Sequence, residues 1–100
     1  MFSFFNKNKR LLKQAEKGNT RAVLRLQARE SDANSTDEDG FSPLIEALRW
    51  QHQDTAEALI SAGADVHART LIFHETALKL AHKGHHSETA ELLRSAGASE

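Results

Sequence analysis

The sequence predicts an all-α solenoid: three antiparallel helix pairs stacked side by side, with short hairpin or loop fingers between them. Three observations predict it. The segment Thr55–Ala64 reads TAEALISAGA and Thr89–Ala98 reads TAELLRSAGA, so that Gly63 and Gly97 stand 34 residues apart. The same offset carries Ser42-Pro43-Leu44 onto Thr76-Ala77-Leu78 and Ala47 onto Ala81, while a fainter copy places Asp65-Val66-His67 on Asp32-Ala33-Asn34. Periods near 33 mark stacked helix–turn–helix units. Lastly, 15 Ala and 12 Leu against no Tyr favour helices, in which these two residues lose least entropy.

Taken in order, residues 1–8 form an N-terminal capping segment and residues 9–34 a degenerate first repeat. Residues 35–68 form the second repeat. There Ser42 is an N-cap type, and Pro43 falls at the first helical position, where a missing N–H is no loss. Leu44, Ala47 and Leu48 then share one helical face. After a polar break, Gln51-His52-Gln53, a second helix runs from about Asp54 to Ala62 and buries Ala58 and Leu59. Gly63 ends it, in the left-handed conformation that glycine adopts without a Cβ penalty. Residues 69–100 form a C-terminal capping repeat: Thr76 is the N-cap, Leu78 and Ala81 share a face, Gly84-His85-His86 is the break and Gly97 the stop. None of these helices exceeds about ten residues, too few for stability in isolation, so stacking must hold them.

Composition bounds the rest. One hundred residues make one domain. The absence of Cys excludes disulfide frameworks, thiolate zinc sites and cysteine nucleophiles, and fits a reducing compartment. No run approaches the roughly 20 apolar residues of a bilayer span. The opening Met1-Phe2-Ser3-Phe4-Phe5 is too short for a signal-peptide core, and basic residues follow it instead of preceding it. The expected location is cytoplasmic. The net charge of −1 hides a dipole: residues 1–29 carry eight basic residues and one acid, residues 30–100 five basic and thirteen acidic. The basic end reads either as a solvated helix face or as a surface for an anionic partner.

These residues name a family. Asp32-Ala33-Asn34-Ser35-Thr36-Asp37-Glu38-Asp39-Gly40-Phe41-Ser42-Pro43-Leu44 through Ala62-Gly63-Ala64-Asp65-Val66-His67-Ala68 closely resembles a full ankyrin repeat. Thr76–Ala81 through Leu92–Ala98 resembles a C-terminal capping ankyrin repeat, and Leu12–Asn19 through Glu30–Asp32 a degenerate N-terminal one. The resemblance covers about residues 9–98. Departures are visible as well. Ile45 and Lys79 replace the family's first-helix His, and Glu30 replaces the terminal glycine of the first repeat. The segment from Asp65 to Thr76 is one residue longer than its counterpart from Asp32 to Ser42, with His74 where glycine is expected, so an irregular hairpin is expected there.

The resemblance implies a concave partner-binding surface made of the fingertips and the exposed positions of each first helix. By position these are Glu38, Asp39 and Phe41 with Arg49 and Trp50, then Leu71, Ile72, Phe73 and Glu75 with His82 and Lys83. The first repeat contributes Glu16 and Lys17, with no finger before them. Trp and Arg are the residue types most often found at binding hot spots. Leu71-Ile72-Phe73 sets three apolar residues on a fingertip, and with Phe41 they could form an apolar patch with a polar rim. The competing reading is packing: Trp50 folded over its neighbour, or Leu71 and Phe73 plugging the stack.

His82 and His86, with His85 beside them, could share a helix face, but no third ligand stands at fixed spacing and no metal is expected. No nucleophile elbow or phosphate-cradling glycine loop occurs, so no catalysis and no cofactor is expected. The expected function is a monomeric, non-catalytic module binding one protein partner, such as an inhibitor, an immunity or antitoxin-type protein, or an adaptor. A basic partner suits the acidic majority of the chain. The alternative is attachment to an anionic membrane surface through Phe2, Phe4 and Phe5 with Lys7, Lys9, Arg10 and Lys13; the same Phe residues could instead cap the first repeat. Nucleic-acid binding has less support, for want of a motif. The Met start and cap-like ends are expected of a whole protein.

Overall fold

The computed structural model describes residues 2–28, 34, 36–71 and 73–98, with side chains from residue 9 onward. Among these residues the chain forms six helices: α1 (Phe2–Lys17), α2 (Thr20–Ala28), α3 (Pro43–Arg49), α4 (Gln53–Ser61), α5 (Ala77–Lys83) and α6 (Ser87–Ser95). They pair as α1–α2, α3–α4 and α5–α6. Across the pairs, α1, α3 and α5 pack in one layer and α2, α4 and α6 in the other. This is the expected all-α solenoid of three helix pairs.

The predicted caps are where the sequence puts them. Ser42 Oγ accepts from the Ile45 N–H at 3.2 Å, and Thr76 Oγ1 from the Lys79 N–H at 3.1 Å. Pro43 opens α3. Gly63 and Gly97 both adopt positive φ, +94° and +100°, just past the C-cap residues Ala62 and Ala96 of α4 and α6. Within each pair the turn also needs one left-handed residue: Gly18, Gln51 and His85 fill equivalent places, with φ of +74°, +63° and +59°. Two of these are not glycine, which costs conformational energy that the packing of the pairs must offset.

The core runs through the stack along the inner faces of both layers: Leu11 and Ala15 of α1, Val23 of α2, Leu44, Ala47 and Leu48 of α3, Leu59 of α4, Leu78 and Ala81 of α5, and Leu93 of α6. Burying each of the larger side chains contributes about 1.5–3 kcal/mol. Ile45, the replacement for the family's His, is wholly buried, whereas Lys79 is exposed. Polar links join the outer layer: the Thr20 and Thr55 hydroxyls lie 2.6 Å apart, and Glu57 Oε2 accepts from Thr89 Oγ1 at 3.2 Å.

Two expectations are corrected. Helix α4 begins and ends one residue earlier than expected, and its buried positions are Thr55, Ala56 and Leu59, with Ala58 only half-buried. Two residues are about 200° around a helix, so Ala56 and Ala58 point to nearly opposite sides and Ala56 is the one that meets the core. Helix α1, at 16 residues, exceeds the ten-residue bound, because nothing breaks it before Gly18 and residues 2–8 are continuous with the first repeat. The phenylalanine side chains of that segment, and the side chain of Lys7, lie outside the described residues.

Candidate functional site

Both fingers are held by local hydrogen bonds. In the first, Asp37 Oδ1 accepts from the N–H groups of Asp39 (2.9 Å) and Phe41 (3.0 Å), a side-chain turn that sets the tip. In the second, Thr70 and Glu75 exchange two bonds: the Thr70 N–H donates to the Glu75 carbonyl, and the Glu75 N–H to Thr70 Oγ1. Arg69 and Thr76 bridge beneath them. His74 takes φ +52° in the place expected for glycine, the same left-handed conformation that Gly40 takes at φ +83° in the first finger. The Leu71 N–H donates to the Asp39 carbonyl at 2.9 Å and ties one finger to the next.

Between the fingers and helices α3 and α5 lies an open depression of about 470 Å³. Phe41, Arg49, Phe73, Glu75 and Lys83 line it, over a floor of Leu48 and Leu80. The Arg49 guanidinium stands 4.7 Å above the Phe41 ring and 5.7 Å from the Trp50 ring, within cation–π range of both. Lys83 Nζ pairs with Glu75 Oε2 at 2.9 Å. Trp50 is 52% exposed, Leu71 62% and Phe73 70%, so these three side chains do not plug the stack. Glu38 and Asp39 are exposed on the first tip.

A second depression, of about 590 Å³, lies between α1 and the first finger and is lined by Lys9, Arg10, Leu12, Lys13, Glu16, Asp37 and Glu46. Glu46 is 7% exposed, and its Oε1 has no hydrogen-bond partner; Arg49 Nη1 forms an ion pair with it at 3.7 Å. Burial raises the Glu46 pKa above the ordinary value of 4.5, Arg49 opposes the rise, and Glu16 and Asp37 add to it.

A family model described as "Ankyrin repeats (3 copies)" matches residues 11–99. The chain belongs to the ankyrin-repeat family. It is similar to Ankyrin repeat domain-containing protein 49 of Bos taurus, 43% identical over 65 residues, which are 64% of this chain and 27% of that protein. The human protein of the same name is 42% identical over 62 residues, 61% of this chain and 26% of its own length. The chain thus matches about a quarter of the length of these relatives. Ankyrin repeats serve generally as protein-interaction modules and typically carry no catalysis.

In this ankyrin frame the structure gathers Phe41, Arg49, Phe73, Glu75 and Lys83 around one depression, with Trp50 attached through Arg49. His82 is not among them. Its Nε2 lies 3.0 Å from Arg94 Nη2 on α6, and it faces another depression with His85, His86 and Glu91. His86 turns elsewhere, its Nδ1 3.1 Å from Gln53 Oε1. Among the described residues no group of three or more His, Asp or Glu is placed to hold a metal, and no helix is long and apolar enough to cross a membrane. Ile72 lies outside the described residues. Lys9, Arg10, Lys13, Lys17, Arg21 and Arg25 are all exposed on the first ankyrin repeat, which is the positive end of the charge dipole. Sequence reasoning missed Glu46, although a signal existed: in the next ankyrin repeat its place is held by Leu80, 34 residues on.

Proposed function

We propose that this chain is a non-catalytic protein-binding module that docks one protein partner on the face made by its fingers and first helices. The observation that carries this reading is the Arg49 guanidinium stacked by Phe41 and Trp50 beside the exposed Phe73. Exposed aromatic and Arg side chains grouped over an apolar floor have the composition of binding hot spots. The stack offers room for about one standard interface, roughly 800 Å² on this side. A single face suits an inhibitor, an immunity or antitoxin-type protein, or an adaptor, better than a scaffold with several sites. The chain acts as a cytoplasmic monomer in this reading, and its partner is basic where it meets the acidic fingers.

Affinity capture with the tagged chain, set against its Phe41→Ala/Trp50→Ala variant, tests the face. The variant should lose the partner, weakening binding by at least about 30-fold, the effect of one hot spot of ~2 kcal/mol. Its helicity and melting should match the parent. Equal capture by both proteins would reject the assignment.

A further inference from the structure

The second depression holds a group that the fold does not need. Glu46 occupies the place that Leu80 fills in the next repeat, a position turned into the stack, and is itself 7% exposed. A carboxylate there gives up hydration, and burial of an oxygen without a hydrogen bond is unfavourable. Its Oε1 has no hydrogen-bond partner, and Arg49 Nη1 at 3.7 Å is beyond hydrogen-bond distance. At that distance Arg49 is an ion-pair partner only, and its guanidinium also lies over the Phe41 and Trp50 rings.

Two further carboxylates converge on the same depression. Asp37 is fixed by the finger amides that it caps, and Glu16 extends from α1. Both are near enough to Glu46 to oppose its ionisation. The cations of α1, Lys9, Arg10 and Lys13, stand exposed at the rim, and Lys13 Nζ lies 3.7 Å from Glu16 Oε1. Glu46 therefore lies buried in the depression, while Glu16 and Asp37 stand nearer its surface beside the cations of α1. A guest that satisfies Glu46 must pass that rim and deliver hydrogen-bond donors and positive charge at the far end of an apolar stem. An arginine side chain does this: three methylenes carry a planar fork of five donors that matches a carboxylate.

We infer that the depression between α1 and the first finger is a subsite for an arginine side chain of the protein partner, received by Glu46 with Asp37 and Glu16 beside it. The subsite rests on the binding face proposed above and adds the chemistry of what that face takes. The guanidinium supplies the donor that Oε1 lacks and compensates the buried charge, so Glu46 serves recognition at the expense of packing.

The test uses the full chain with ¹³C-labelled glutamate side chains and N-acetyl-arginine methylamide as probe. The Glu46 carboxyl signal should shift saturably with the arginine probe, and more than the exposed Glu88. The asparagine analogue, a neutral donor, and the glutamate analogue should leave it in place. If Glu46 responds no more than Glu88, or equally to the asparagine analogue, the inference fails. With a captured partner, Glu46→Gln should weaken binding about 10-fold or more, the scale of a lost charge-assisted hydrogen bond. Binding lost in Phe41→Ala/Trp50→Ala but unchanged in Glu46→Gln removes this subsite and keeps the face. Binding unchanged in both removes the face as well.

Discussion

His52 Nε2 lies 2.9 Å from the Glu16 carbonyl oxygen, so the second repeat takes hold of the last turn of α1 through a side chain. The N–H on that nitrogen donates to one of the carbonyls that a helix end leaves unsatisfied. To reach it the imidazole lies flat against Gly18, where an added Cβ would stand 2.7 Å from the ring Cε1. Gly18 thus meets two demands at once, a left-handed turn with φ +74° and a close approach between repeats.

Those demands separate by comparison with Gly63, whose φ is +94° but whose Cβ would meet nothing within 4 Å. Gly63→Ala should cost only the backbone penalty, about 1–2 kcal/mol. Gly18→Ala should cost that plus the displacement of His52, about 2–4 kcal/mol together. Thermal denaturation checks this: at roughly 4–8 °C per kcal/mol, Gly18→Ala should melt clearly below Gly63→Ala. His52→Ala should relieve part of the Gly18→Ala loss, a coupling that two independent sites would not show.

The commitment of His52 to its neighbour has a local consequence. His52 is the N-cap of α4 and His86 that of α6, yet neither side chain caps its own helix. One is bonded to Glu16 and the other faces Gln53. Side-chain caps stand elsewhere: Ser42 and Thr76 start α3 and α5, and Asn19 Oδ1 accepts from the Ala22 N–H at the start of α2. Ser42→Ala and Thr76→Ala should each cost about 1 kcal/mol and lower the melting temperature accordingly. Amide exchange at Ile45 and Lys79, the two capped N–H groups, should accelerate in the respective variant. A cap without energetic weight would leave both rates unchanged.

What was legible in the sequence followed from the 34-residue period. Local chemistry, a cap at Ser42 and Thr76 and a left-handed stop at Gly63 and Gly97, repeats whenever the same supersecondary unit repeats. Register inside a short helix was harder to read. Ala56 and Ala58 are the same residue on either side of Glu57, and composition does not choose between positions two apart on such a helix. The length of α1 was hidden because its Phe-rich start carries no break to mark it either as helix or as separate cap. At the site, exposure of Arg49 and Trp50 followed from repeat position, whereas the turn of His82 toward Arg94 of α6 rests on a contact that the period does not reveal. Glu46 escaped because a charged residue is ordinarily read as solvated; only alignment with Leu80 exposes the mismatch.

Glu46 also gives the chain a defined pH response. Its pKa is raised, first by burial and then by Glu16 and Asp37, with Arg49 opposing. The folded chain therefore holds the proton more tightly than the unfolded chain, whose Glu titrates near the ordinary 4.5. Stability from this residue is fully present below that value and declines as pH rises through the folded-state pKa, since folding then buries a charge. Glu46→Gln keeps the shape and removes the titration. The variant should melt above the parent at neutral pH, and its advantage should diminish on acidification and vanish below the ordinary carboxylate range. Paired melting curves between pH 3.5 and pH 8, about the span over which a raised carboxylate titrates, measure the difference directly. An advantage that stays constant or grows in acid would show that the Glu46 carboxylate is not under strain when ionised. A partner's guanidinium would reverse the balance by favouring the ionised form, so affinity through this subsite should fall over the same acid range in which the free chain gains stability.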